Sequence, residues 1–274
     1  MITMFNKGEA MKYRLIAADM DGTLLNDESQ MSERTKAAIR KAVESGALFV
    51  TATGRAMSGV ESVNALLDKD MPFIVMNGAS VVMGKSRKVL FNKYLDLALV
   101  KEIYKYAAEY DVPMVVRTNE RLWVSSESNE TDKYSTAYSL NLEKISDIDG
   151  FDEKNIFKAI WFGTPEMIAR CQREMNEVFK GRLNCHSSLP MYLEFVSFDS
   201  DKGIAMAEVG RIYGIDRSEM IAVGDGYNDI SMLRYAGLGI AMANAPDDVK
   251  NACKQVTLSN NDDGVAAVIE EYIL

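Results

Sequence analysis

Histidine is almost missing from this chain, which carries one, His186, in 274 residues. A histidine phosphatase or a Ser-His-Asp hydrolase needs an imidazole at its reacting centre, whereas a lone mid-chain histidine is more often a surface residue, so both classes are disfavoured. Cysteine is scarce too. Cys171, Cys185 and Cys253 lie far apart, with no C-x-x-C pair and no zinc-ligand spacing, which fits a reducing, cytoplasmic setting. No stretch approaches the roughly 18 consecutive apolar residues of a membrane span, and the first ten residues lack the apolar run of a signal peptide. A membrane partner is therefore not expected. Positive charge is in deficit: 31 Lys plus Arg against 40 Asp plus Glu leave a formal net charge of −9. Such a surface repels phosphate polyanions as a whole, which makes nucleic acid a poor partner. An anionic ligand would need a local cation to reverse the sign, and a divalent metal is the simplest.

What is present is ordinary globular material. Hydrophobic residues make up 47% and charged residues 26%, with 18 Gly and 5 Pro, so neither a disordered nor a collagen-like chain is in prospect. The length suits two domains. Residues 1–11, with a further methionine at Met11 and no clean periodicity, read as a leader or an appended run and are set apart. Neither an internal repeat nor a low-complexity segment is seen.

From Leu15 to Ala18 a short apolar run ends abruptly in Asp19-Met20-Asp21-Gly22-Thr23, the pattern of a buried strand opening into a loop. Ser32 is placed to cap a helix with Ala38, Ile39, Ala42 and Val43 on one face and Gly46 at its end, before a strand from Leu48. Phe73-Ile74-Val75-Met76 repeats the short apolar run, and a hairpin through Val81 and Val89 with Gly84 at its turn follows. The alternation resumes late, with a helix over 203–213, the strand Met220-Ile221-Ala222-Val223, the loop 224–229, a strand over 238–242 and a C-terminal helix over 265–273. Strands alternating with helices predict an α/β fold with a parallel sheet. In open parallel sheets ligands bind at the C-terminal strand ends, so Asp19, Thr53 and Asp225 are expected to converge. Residues 93–195 break the rhythm: a helix over Leu97–Glu109, strands at 114–116, 122–124 and 160–162, and a polar stretch between them. Both tryptophans lie here, which fits an inserted α+β domain with a small core of its own.

Asp19 and Asp21, two residues apart at a strand end, are suited to nucleophilic attack by one carboxylate and acid-base work by the other. A solvated turn or a fragment of a calcium loop is the bland alternative. An EF-hand would need Glu at position 30, which holds Gln30, so the calcium reading weakens. Taken singly, Thr53 reads more easily as a helix cap, Lys202 as a solvated lysine, and 225–229 as a polar loop.

Together they resemble something specific. Asp19-Met20-Asp21-Gly22-Thr23-Leu24-Leu25 is similar to the first motif of the haloacid dehalogenase-like (HAD) hydrolases. Thr53-Gly54-Arg55 resembles the second, Lys202-Gly203 the third, and Gly224-Asp225-Gly226-Tyr227-Asn228-Asp229 the fourth, in the family's order. The resemblance spans the chain from about Tyr13, and the long insert is most similar to the Cof-type branch with its large α/β (C2B-type) cap. It implies a Rossmann-like catalytic core over 12–92 and 196–274 and a cap over 93–195. It further implies that Asp19 is the nucleophile and Asp21 the acid and base, with Mg²⁺ held by Asp19, the Asp21 carbonyl and Asp225. Phosphate would be bound by the Met20 backbone, Thr53, Gly54, Lys202 and Asn228, while Asp229 would orient Lys202 or a metal-bound water.

The expected activity is a Mg²⁺-dependent phosphatase acting through an aspartyl phosphate on a small phosphomonoester, such as a sugar phosphate. Tyr192 and Glu194 of the insert, with Arg55 and Asn77, are candidate substrate contacts. A phosphotransferase or mutase would share the intermediate and pass the phosphoryl group to a sugar hydroxyl. A phosphoaspartate signalling receiver uses an Asp, a Thr and a Lys in the same way, but it is one compact domain, which the insert opposes. A non-catalytic binding protein is disfavoured because both aspartates of the first motif are intact.

Overall fold

The computed structural model describes residues 11–118, 120–138 and 140–274, so all but the last residue of the expected leader over 1–11 lies outside the described residues. The chain forms two compact units, one running to residue 92 and resuming at 201, the other spanning 93–200.

The first unit opens with β1 (Leu15–Asp19), every residue of which is buried. Helix α1 (Glu33–Ser45) starts where Ser32 accepts the Thr35 N–H at 3.0 Å and stops at Gly46, whose φ of 103° closes the last turn. Thr35, Ala38, Ile39, Ala42 and Val43 form its buried stripe, the 3.6-residue spacing read in the sequence. There follow β2 (Leu48–Ala52), the short α2 (Glu61–Asn64), β3 (Pro72–Val75) and the antiparallel pair β4 (Ser80–Met83) and β5 (Val89–Asn92).

The apolar run through Met76 suggests a longer third strand, yet β3 stops at Val75. Met76, Asn77 and Gly78 take φ values of 53°, 55° and 95°. Left-handed backbone cannot continue a strand, and for residues other than glycine it costs about 1–2 kcal/mol each. The turn is forced by a close approach: a Cβ on Gly78 would stand 2.1 Å from the carbonyl oxygen of Asp201.

The second unit contains α3 (Leu97–Glu109), β6 (Met114–Arg117), β7 (Leu122–Val124), α4 (Asn129–Tyr138), β8 (Leu142–Lys144), β9 (Lys158–Phe162), α5 (Pro165–Val178), β10 (Leu183–Leu189) and β11 (Tyr192–Ser197). Its sheet runs β10-β11-β9-β6-β7-β8. Val116, Trp161 and Phe195 pack with Val100 and Ile103 of α3 and with Ile168 and Met175 of α5, while Tyr134 of α4 joins Val115, Ile160 and Phe162 in a separate cluster. The polar stretch of the sequence thus holds a helix and a strand. Helix α4 escapes a periodicity reading because it buries only Thr131 and Tyr134. The sequence expectation ended this unit at 195, but the contacts end it at 200. The physical reason is that β11 stays paired with β10 through Leu183↔Ser197, and Asn184 Nδ2 then donates to the carbonyl of Phe198 at 3.0 Å.

On return to the first unit the chain makes α6 (Lys202–Tyr213), β12 (Met220–Gly224), α7 (Ile230–Tyr235), β13 (Leu238–Ala241), α8 (Asp247–Asn251), β14 (Gln255–Val256) and α9 (Gly264–Tyr272). The sheet order is β14-β13-β12-β1-β2-β3-β4-β5, parallel from β14 to β3. Among the described residues, no helix is long and apolar enough to cross a membrane.

Gly78→Ala adds left-handed strain to a steric overlap, and overpacking alone costs about 1–3 kcal/mol. The expected loss of at least about 2 kcal/mol would be read from the urea midpoint at unchanged slope.

Candidate active site

From β1 the chain moves to β2 and β3 on one side and later returns to β12 and β13 on the other. The β1/β12 seam is therefore the point where the strand order reverses, and there the loops diverge and leave a crevice at the carboxyl ends. Asp19 is the last residue of β1, Asp225 directly follows β12, and Thr53 directly follows β2. Lys202 is the first residue of α6, whose N-terminus is capped by the Asp201 carboxylate accepting the Ile204 N–H at 2.8 Å.

The centre of the site is the Lys202 ammonium, which is fully buried. It donates to Asp19 Oδ1 at 2.5 Å and to Asp229 Oδ1 at 2.6 Å. Burial alone would pull the lysine pKa down, but the two facing carboxylates overcome it and hold the pKa above its ordinary value. Asp19 is pushed up to about 8, first by burial and then by the charge of Asp229, against the pull of Lys202. Burial also raises Asp225, although Thr23 Oγ1 donates to its Oδ1 at 2.7 Å. Three carboxylates thus crowd around one ammonium, and their excess negative charge adds to the burial that raises the pKa of Asp19.

Asp229 Oδ2 accepts the backbone N–H groups of Asp225 at 3.0 Å and Gly226 at 2.8 Å, so both of its oxygens are engaged. By contrast, Asp19 Oδ2 and Asp225 Oδ2 accept no hydrogen bond from any described residue. Oxygens of Asp19, Asp225 and Asp229 lie within 4.8 Å of one another. A set of hard carboxylate oxygens with two lone-pair directions left open fits a hard divalent cation.

Asp21 lies at the rim, with its side chain 54% exposed. Arg55 grips it with a two-pronged contact, Nε to Oδ2 at 2.9 Å and Nη2 to Oδ1 at 2.5 Å. Thr53 is buried, and its Oγ1 accepts the Arg55 N–H at 3.0 Å, a short turn rather than a helix cap. Asn228 Nδ2 donates to Asn77 Oδ1 at 2.9 Å, and the same Asn77 oxygen faces Gly54, where an added Cβ would stand 3.0 Å from it. Met20 is buried, with its carbonyl accepting the Leu25 N–H at 2.9 Å. Gly22, at φ 77°, passes so close to Asp225 that a Cβ there would meet Oδ2 at 2.4 Å.

Residues from all four sequence motifs therefore meet in the first unit. The Thr23 contact with Asp225 and the Arg55 grip on Asp21 were not read from the sequence. A threonine in D-x-D-G-T was visible, but its partner lies 202 residues away. Of the other candidate contacts, Glu194 is buried in the second unit with Lys158 at 2.6 Å and Tyr192 packs on Tyr134 and Phe162; the lone histidine, His186, lies 3.6 Å from Glu194.

Known proteins resemble the chain in sequence and in fold. The family described as haloacid dehalogenase-like hydrolase matches residues 16–269. The 5-amino-6-(5-phospho-D-ribitylamino)uracil phosphatase YwtE of Bacillus subtilis is 31% identical over 289 residues, covering 95% of this chain and 98% of its own. A haloacid dehalogenase-like hydrolase from Bacteroides thetaiotaomicron superposes with a TM-score of 0.80 at 28% identity, covering 94% of this chain and 99% of that one. A sugar phosphatase of HAD subclass IIB gives 0.75 at 26% identity, with 94% and 98% covered.

Asp229→Ala would leave Lys202 with one carboxylate and deprive two half-buried N–H groups of their acceptor. Breaking a buried ion pair from one side costs about 3–5 kcal/mol, to be measured by urea unfolding of the metal-free protein. Asp229→Asn, which retains an acceptor for the backbone, should cost less.

Proposed function

The chain belongs to the haloacid dehalogenase-like hydrolase family, and from that premise we propose that it is a Mg²⁺-dependent phosphatase of small phosphomonoesters acting through an aspartyl phosphate on Asp19. The observation that carries this reading is the buried Lys202, bonded at once to Asp19 and Asp229 beside Asp225. Family membership sets aside the signalling-receiver alternative.

In this reading Lys202 holds the Asp19 carboxylate through Oδ1 and so aims it to attack phosphorus in line. The same ammonium is a fixed positive charge beside the equatorial oxygens as negative charge builds on them, and being buried it needs no solvent rearrangement to act. Asp229 aims Lys202 and fixes the 225–226 backbone, so that Asp225 keeps its direction. Asp19, the Asp21 carbonyl and Asp225 would hold Mg²⁺. When bound, the ion neutralises the repulsion between an anionic nucleophile and an anionic ester.

Asp21 would protonate the leaving alkoxide and afterwards take a proton from the attacking water, a double duty suited to one side chain because the first step leaves it deprotonated. Arg55 keeps that carboxylate oriented while it stays open to solvent. The Thr53 hydroxyl, the Gly54 and Met20 N–H groups and the Asn228 amide are the proposed phosphate donors, and Asn77 sets the direction of Asn228. The unit over 93–200 is the proposed cap, selecting the leaving group. Sugar phosphates and related metabolites are the proposed substrates, supported by the names of the subclass IIB sugar phosphatase and of the ribitylaminouracil phosphatase. A cytoplasmic location is proposed on the scarcity of cysteine.

The test is a phosphate-release screen over sugar, nucleotide and cofactor monoesters with and without Mg²⁺. Metal-dependent release is expected, and Asp19→Asn should abolish it with the fold intact; full activity in that variant would sink the mechanism. Asp21→Ala should lose about 10²–10⁴-fold on alkyl phosphates, the usual range for acid-base catalysis. It should lose far less on p-nitrophenyl phosphate, whose leaving group needs no proton. Equal losses on both esters would contradict the acid role. Phosphoryl transfer to an added sugar in place of water would identify a phosphotransferase instead.

A further inference from the structure

The loop that carries Asp21 is closed by two backbone bonds, Leu24 N–H to the Asp19 carbonyl at 3.2 Å and Leu25 N–H to the Met20 carbonyl at 2.9 Å, but neither engages the Gly22 carbonyl. Gly22, at φ 77°, is free of the steric bias that fixes other residues and populates both signs of φ about equally, so its native state must be imposed from outside. Two segments absent from the four motifs impose it. Asn244, just past β13, donates its Nδ2 to the Gly22 carbonyl at 2.8 Å, across 222 residues of sequence. Asn260, just before α9, donates its backbone N–H to Asn244 Oδ1 at 3.1 Å and its own Nδ2 to the Leu25 carbonyl and to Asp27 Oδ1, both at 3.1 Å. Asn261 closes the far end, exchanging bonds with Asp27: its Nδ2 donates to Oδ2 at 2.9 Å and its Oδ1 accepts the Asp27 N–H at 3.1 Å. These side-chain bonds, with the neighbouring Asn261 amide first, hold the exposed Asp27 carboxyl below its ordinary pKa.

We infer that Asn244, held by Asn260, is a positioning residue for the proposed metal site, working by locking the Gly22–Thr23 peptide. That peptide joins two groups the site needs. On one side stands the Asp21 carbonyl; on the other is Thr23, whose hydroxyl fixes Asp225 at 2.7 Å. Rotation of the peptide would move both, and Gly22 offers no barrier of its own. The metal would thus be bound well only while a residue that touches neither metal nor substrate keeps the loop closed. Groups that orient ligands in this way typically carry 10–100-fold in metal affinity.

The inference rests on the proposed roles of Asp19, Asp21 and Asp225, so its test reads metal binding and backbone protection apart from turnover. Asn244 is exposed, so its replacement leaves the core packing untouched. Asn244→Asp keeps the oxygen that accepts from Asn260 and replaces the donor to Gly22 with a carboxylate oxygen that repels its carbonyl, while Asn244→Ala removes both groups. Calorimetric titration with Mg²⁺ alone is expected to show Kd raised about tenfold or more in each variant. Hydrogen exchange of the metal-free proteins should show faster exchange confined to 22–27, with the urea midpoint of Asn244→Asp close to that of the parent. A Kd within twofold of the parent, unchanged exchange over 22–27, or a weakening matched by general loss of stability would overturn it. Should the parent bind Mg²⁺ but release phosphate from no ester, the phosphatase reading falls while the titration and exchange still decide the role of Asn244.

Discussion

A lysine ammonium with no exposed surface constrains much of this molecule. Removing it from water costs several kcal/mol, offset only by close and well-directed partners. Here they are Asp19 and Asp229, drawn from the end of β1 and the loop that follows β12. Satisfying Lys202 therefore fixes the N-terminus of α6 against two parallel strands. It also leaves a surplus of carboxylates, which is unfavourable for folding and favourable for a cation. The pKa of Asp19 is raised by burial first and by the same imbalance second.

Around that triad the hydrogen bonds divide the carboxylates by task. Asp229 spends both oxygens on protein groups and acts as a brace. Asp19 and Asp225 each spend one and keep one. Asp21, outside the buried set, is held by a guanidinium at the rim. Four aspartates within a few residues of two strand ends thus sit in four environments, and the environment, not the residue type, sets what each can do. The left-handed turn at Met76, Asn77 and Gly78 belongs to the same economy of space. It brings Asn77 to Asn228 and Gly78 under Asp201, next to the lysine.

Much of this was legible in the chain. β1, α1 and α6 were marked by apolar runs or 3.6-residue stripes and, for α1, by its Ser32 and Gly46 ends. Asp19 and Asp225 stood out because short polar motifs recur at strand ends, and Lys202 through the resemblance of Lys202-Gly203 to the family's third motif. Other features gave no local signal. Helix α4 buries two residues and has almost no apolar stripe. The end of β3 at Val75 is dictated by a backbone approach from residue 201, which no window around Val75 contains. Asn244 and Asn260 look like ordinary loop residues until their partners at Gly22 and Leu25 are known.

Periodicity and residue chemistry act over a few neighbours, so the amino-acid order by itself determined the strand and helix alternation, the family and the carboxylates available. Tertiary structure alone decided which oxygens stay open, which carboxylate faces the ammonium, and what holds a glycine in one of its two accessible states. Those outcomes depend on burial and on contacts between segments as many as 235 residues apart, and both come into being only when the sheet closes around them.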